Sequence, residues 1–135
     1  MKYLVLVFFL SHTVWSQDLD KHLWENRVIV ISADKNNETR AIEQFNILKT
    51  EKDKLIDRRL VVYKCIGDTC KYYDFNNDAK VVLVDKKLTG FNNMLLGLDG
   101  GKKFNSNNVE NANTFFNLID KMPMRRQELR NKKND

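Results

Sequence analysis

The residues whose types and spacing could do chemistry are few, and they fall in two places. Cys65 and Cys70 are the only cysteines, with Ile-Gly-Asp-Thr between them, and Arg125 and Arg126 follow Met122-Pro123-Met124. An even pair of cysteines can close a structural disulfide, exchange with other thiols, or stay reduced, and compartment and thiol acidity decide which. Adjacent arginines either tie a helix back to a carboxylate such as Asp99 or Asp120, or clamp a partner's carboxylate or phosphate in bidentate fashion. Other chemistries lack material. Beyond the first sixteen residues His22 is the only histidine, too little for a His-rich metal centre or a Ser/His triad, so neither metal nor cofactor is expected. Asp99-Gly100-Gly101 leads into a strand pattern rather than a helix, and reads as a hairpin turn instead of a phosphate cradle. Tyr63, Tyr72 and Tyr73 beside Lys64 and Lys71 are the types that stack on nucleic acid. On a strand pair, however, alternating aromatics are ordinary cross-strand packing, and no nucleic-acid partner is expected.

The elements that must position these residues can be read from the apolar pattern. Arg27–Ala33 is apolar at every position from 28 to 31, the mark of a strand buried on both faces in the middle of a sheet. Asn37 is the expected N-cap of a helix from Glu38 to about Asp57, with Ala41, Ile42, Phe45, Leu48, Leu55 and Ile56 at helical spacing. Arg58-Arg59 closes that helix, and residues 60–66 form the next strand. Strand, helix, strand is a right-handed crossover between parallel strands, which makes the fold α/β. A two-residue turn at Gly67-Asp68 then pairs 60–66 with 69–75. In that register Cys65 and Cys70 stand opposite each other with Cα atoms about 4.5 Å apart, at the short end of what a disulfide accepts. Residues 79–88 are ambiguous. Val81, Val82, Leu83 and Val84 favour a strand by propensity, whereas Asp78 as N-cap with Val81, Val84 and Leu88 fits a short helix, and the helix is preferred because a re-entering strand usually needs a crossover. Strands at 91–98 and 102–105 follow, then a polar loop, then a helix from Thr114 to about Lys121 capped by Asn113. Pro123 ends that helix at Met122, and the polar remainder is expected to fray.

The two ends differ from the middle. Met1-Lys2, an unbroken apolar run from Tyr3 to Leu10, and small residues at Val14 and Ser16 have the form of a signal peptide cleaved before Gln17. The run is shorter than the roughly 20 residues a membrane span needs, so no stable membrane insertion is expected after cleavage. Export makes a Cys65–Cys70 disulfide the default. Residues 17–26 form a polar lead-in whose Leu19, Leu23 and Trp24 are expected to cap the first strand. The domain proper then spans 27–122, and 123–135 is a polar, basic tail. The whole chain of 135 residues holds 23 basic against 18 acidic residues, and at 42% hydrophobic and 30% charged it is neither wholly disordered nor a multispanning membrane protein. Its charge excess is mild, but Lys121, Arg125, Arg126, Arg130, Lys132 and Lys133 cluster at the C-terminus, as a solvated helix end or as a surface for an anionic polymer.

This order of elements resembles a thioredoxin-like fold, a three-layer α/β sandwich with a mixed sheet flanked by helices. Trp24-Glu-Asn-Arg-Val-Ile-Val-Ile, Arg58-Arg59-Leu-Val-Val-Tyr, Gly97-Leu-Asp-Gly-Gly-Lys and Leu118-Ile-Asp-Lys-Met-Pro-Met-Arg-Arg-Gln-Glu carry a closer likeness. Over about Trp24 to Arg130 the chain resembles the domain of unknown function 4174 family. That resemblance implies a thioredoxin-like or peroxiredoxin-like fold and an extracytoplasmic location, secreted or periplasmic, with related domains in extracellular-matrix and sushi-repeat proteins, and it implies no reaction. A thioredoxin-type enzyme holds its nucleophilic cysteine where the first strand meets the helix, because the helix dipole and free N–H groups lower the thiol pKa. Here that stretch is Ala33-Asp-Lys-Asn-Asn-Glu-Thr39 and holds no sulfur. The expectation is therefore a non-catalytic exported module that binds a protein or envelope component. The alternative is a thiol-disulfide oxidoreductase using Cys65 and Cys70.

Overall fold

A computed structural model describes residues 19–75, 80–83 and 88–134. Its centre is a six-stranded mixed sheet in the order β4-β3-β2-β1-β5-β6, made of β1 (Arg27–Ala33), β2 (Leu60–Ile66), β3 (Thr69–Tyr73), β4 (Lys80–Leu83), β5 (Phe91–Leu96) and β6 (Lys102–Ser106). Only β1 and β2 run parallel, as their helical crossover requires; the other pairings are antiparallel. β1 is buried along both faces. Ile29, Ile31 and Ala33 point to a core shared with helices α1 (Glu38–Lys49), α2 (Lys52–Asp57) and α3 (Ala112–Asp120), through Phe45, Leu48, Leu55, Phe115, Phe116 and Ile119. Val28 and Val30 point the other way, to Val61, Tyr63, Tyr72 and the two cysteines, with Leu19 and Leu88 packed against them. A last helix, α4 (Pro123–Lys133), closes the chain. The architecture is the α/β sandwich of a thioredoxin-like fold.

The structure departs from the sequence expectations in several places, each with a physical cause. Residues 80–83 form a strand on the free edge of β3, with Thr69 facing Leu83. An antiparallel neighbour needs no crossover, so the β propensity of Val81 and Val82 decides the outcome. The expected long helix is two helices, broken at Thr50 and Glu51, where the Thr50 hydroxyl turns back to the Ile47 carbonyl. Asn37 does not cap by its side chain; a short 3₁₀ turn over Lys35–Asn37 precedes α1, and Asp34 is the residue whose carboxylate accepts the Asn37 N–H. Similarly α3 starts two residues before Thr114, with Asn111 rather than Asn113 at its N-cap position. In the lead-in, Leu23 and Trp24 are exposed and His22 is buried. Its Nε2 lies 2.7 Å from the Tyr63 hydroxyl and its Nδ1 3.1 Å from Asn26 Oδ1, so of the three apolar residues expected to cap the strand Leu19 does so, and the polar His22 takes the place of the other two. Finally, Pro123 does end one helix, but it also starts the next: it stands at the first position of α4, where its missing N–H costs nothing. The expected signal peptide and its expected cleavage point lie outside the described residues.

Candidate functional site

The hairpin brings the two sulfurs together. Cys65 pairs with Cys70 and Ile66 with Thr69, the register expected from a turn at Gly67-Asp68, and Gly67 adopts φ +66°, which only glycine takes without strain. The cysteines form a disulfide with Cα atoms 3.9 Å apart. Both are sealed, at 1% and 0% exposure, in the cluster that also holds Val28, Val30, Val61, Tyr63 and Tyr72, the two tyrosine rings lying 5.0 Å apart. A thiolate attacks a disulfide along an open approach to one sulfur, and neither sulfur offers one. On the other side of the hairpin the Lys64 ammonium lies 4.6 Å from the Phe45 ring and 5.6 Å from that of Tyr73. Burial, helped by repulsion from Lys71 and Lys49, pushes its pKa down. Lys64 is thus packed on Phe45 and Tyr73 and the Tyr63 ring on that of Tyr72, while Lys71 is exposed.

The mouth of the sheet, where β1 meets α1, is occupied by a carboxylate. Asp34 Oδ1 accepts from the Asn37 backbone N–H at 3.0 Å and side-chain amide at 2.7 Å, and Oδ2 accepts from the Gly90 N–H at 2.8 Å. The Asp34 N–H in turn donates to the Gly90 carbonyl. The hydrogen bond from the Asn37 side chain, then that from Gly90, holds the Asp34 carboxyl below its ordinary value against the opposing effect of burial. Gly90 takes φ +67° to make this approach. Asn37, Arg40, Thr89 and Asn92 line the shallow hollow beside it. These groups can hydrogen-bond and carry charge; none is a nucleophile of the thiol type.

Opposite that mouth, at the start of β1, lies a cluster that sequence reasoning only half anticipated. Arg125 is 2% exposed. Its Nε donates to Asp120 at 3.2 Å, its Nη2 to Asp57 Oδ2 at 2.7 Å, and its Nη1 to the Asp57 carbonyl and Glu128. Arg58 grips Asp120 through two parallel bonds of 3.1 and 2.9 Å and covers the Phe116 ring. Arg27, the first residue of β1, takes both oxygens of Glu128 and the Arg58 carbonyl. Lys132 also reaches Asp57. Burial raises the Asp120 pKa, but hydrogen bonds and charge from Arg58 and Arg125 outweigh it and hold the carboxyl below 3.8. Arg125 thus has no face left for an outside anion. Arg126 is exposed and, among the described residues, forms no ion pair. Asp99, the other carboxylate the sequence offered, is taken by the Gly101 N–H and Lys103.

Sequence reasoning gave no role to Arg27 or to Gln44. The Gln44 side chain accepts from Asn93 and from the Glu110 N–H, and donates to the Glu110 carbonyl, which pins the loop before α3 to α1. A polar residue on the inner face of an otherwise apolar helix was the available signal for Gln44. For Arg27 it was a charge opening a run of buried positions. Among the described residues no group of three or more His, Cys, Asp or Glu is placed to hold a metal ion, and no helix is long and apolar enough to cross a membrane.

No curated protein and no solved structure matches the chain. A family model described as Domain of unknown function (DUF4174) matches residues 18–128, from the lead-in through β1 to Glu128 in α4. The matched span takes in the buried arginine cluster and the hairpin disulfide together, and the chain therefore belongs to the DUF4174 family.

Proposed function

We propose that this chain is an exported, non-catalytic thioredoxin-like module that works by binding another molecule, a protein or an envelope component. The observation that carries the reading is at the mouth of the sheet. A thiol enzyme of this fold needs an acidic sulfur aimed out of the strand-to-helix junction. This chain has Asp34 there, turned inward on Asn37 and Gly90. The two sulfurs it does possess are joined and buried one hairpin away. A disulfide in a small domain also fits an oxidising compartment, in keeping with the signal-like first sixteen residues.

The test is turnover. The purified protein and a Cys65→Ser/Cys70→Ser variant are assayed for insulin-disulfide reduction with dithiothreitol and for peroxide consumption. The expected result is no rate above background in either protein. Wild-type turnover that the double variant lacks would replace this reading with that of an oxidoreductase using Cys65 and Cys70.

A further inference from the structure

We infer that the apolar face around the β5–β6 turn is where a second copy of this chain docks, the Trp24 side chain of each copy filling the cleft between that turn and the α3–α4 joint of the other. This goes beyond the reading above, since it names a partner and a surface, and nothing in it depends on what the sulfurs do. Leu23, Trp24 and Met124 are exposed by 40, 63 and 43%, and they gather at one turn. The Trp24 N–H donates to the Leu98 carbonyl at 2.7 Å. Leu23 lies over Gly100, where an added Cβ would meet its Cδ2 at 2.6 Å. Leu98 in turn lines, with Leu118, Met122 and Met124, an open cleft of about 500 Å³. An exposed apolar patch built of a tryptophan, leucines and methionines has the composition of a protein interface.

Three features select a second copy as the occupant. First, the face carries both halves of the contact. Trp24 stands exposed beside the cleft and does not line it. A knob and a hole side by side on one face pair with themselves about a two-fold axis, each knob entering the other copy's hole. Second, the two halves are flanked by opposite charge. Asp20 and Glu25, on either side of the knob, are exposed and form no ion pair among the described residues. Lys121, at the rim of the cleft, is likewise exposed and forms none. Lys21 is drawn over the Tyr72 ring and Lys103 is held by Asp99, so the uncompensated charge is acidic beside the knob and basic beside the cleft. The two-fold axis brings these together twice. Third, the knob is set in advance. Trp24 takes φ 65°, a left-handed backbone that a tryptophan rarely adopts, and its bond to Leu98 holds it there. Association then orders no loop to present the ring, which lowers its entropic cost.

The purified protein is followed by sedimentation velocity from about 1 µM to about 1 mM, the range in which small interfaces associate. A monomer–dimer equilibrium is expected. Trp24→Asn removes the ring but keeps a residue type that accepts the left-handed backbone, and should weaken the dimer at least ten-fold. Ile42→Ser, at an apolar position of α1 that is also 40% exposed, should leave it unchanged. Glu25→Lys and Lys121→Glu should each weaken association several-fold, and the two together should restore it. Thermal unfolding checks the fold of each variant, and if Trp24→Asn fails to fold, the charge reversals, both on exposed side chains, decide alone. A monomer over the whole range, a dimer that Trp24→Asn leaves intact, an equal loss with Ile42→Ser, or charge reversals that do not rescue each other overturns the inference. None of these readings depends on redox turnover, so this surface and the non-catalytic reading can fail separately.

Discussion

The two ends of β1 handle polarity in opposite ways. At the end that meets α1, one carboxylate, Asp34, satisfies Asn37 and Gly90 with short local hydrogen bonds and needs no countercharge. At the other end Arg27, Arg58 and Arg125 are set against Asp57, Asp120 and Glu128, drawn from β1, α2, the segment after it, α3 and α4. The first arrangement closes the place where this fold does thiol chemistry. The second assembles distant segments into one charged cluster, in which a single buried donor, the Arg27 Nε–H, has no hydrogen-bond partner.

That contrast is most easily broken at Arg125. Replacing it with alanine leaves Asp57, Asp120 and Glu128 short of a partner and unties α4. The expected loss is about 3 kcal/mol by urea unfolding, below the full cost of a wholly buried pair because Asp57 and Asp120 are about one-third exposed. Arg126→Ala should stay within about 0.5 kcal/mol; equal losses at the two positions would remove the distinction between a buried tie and a solvated arginine. The disulfide ranks next. A bridge across so short a loop contributes about 2 kcal/mol through the unfolded chain, so Cys65→Ser/Cys70→Ser should lower stability by that amount without changing the native spectrum.

Acid provides a gentler probe of the charged end. Asp120 has its pKa lowered in the folded state, so its contribution is present above the unfolded value and disappears as pH falls through the folded one, below about 3.8. Unfolding curves taken from pH 7 to pH 2 should lose stability in that window, and Asp120→Asn should remove part of the slope while lowering stability at neutral pH. The smallest effect belongs to the Asp34 end: Asp34→Ala should reduce Tm by less than the disulfide variant does and speed hydrogen exchange at the Asn37 and Gly90 amides. A collapse of the whole fold on that substitution would mean the mouth is a structural keystone rather than a local plug.

The sequence made the middle of the sheet legible because apolar runs and turn residues act locally. β1, β2 and the Cys65–Cys70 register follow from a run of valines and isoleucines and from Gly67-Asp68. Residues 80–83 were legible by propensity and obscured by a topological argument that applies only to parallel returns. The tail was the larger miss. α4 has too few apolar residues to announce a buried face, and its contact with the domain runs through Arg125 and Glu128 instead. Pro123 at a helix start and the i,i+3 spacing of those two residues were the signs, but they acquire meaning only once Arg27, Asp57 and Asp120 are seen beside them. In the same way His22 is buried because Tyr63, forty-one positions away, offers its hydroxyl.

The central claim, that the sulfurs of this chain are structural, is tested most directly by the rate at which dithiothreitol reduces the Cys65–Cys70 bond in the native protein, read by mass after trapping the thiols. The account predicts that reduction is slow, that it accelerates in step with global unfolding as urea is added, and that it is far slower than in a short peptide carrying residues 60–75. Reduction of the folded protein at the peptide's rate, independent of urea, would contradict it.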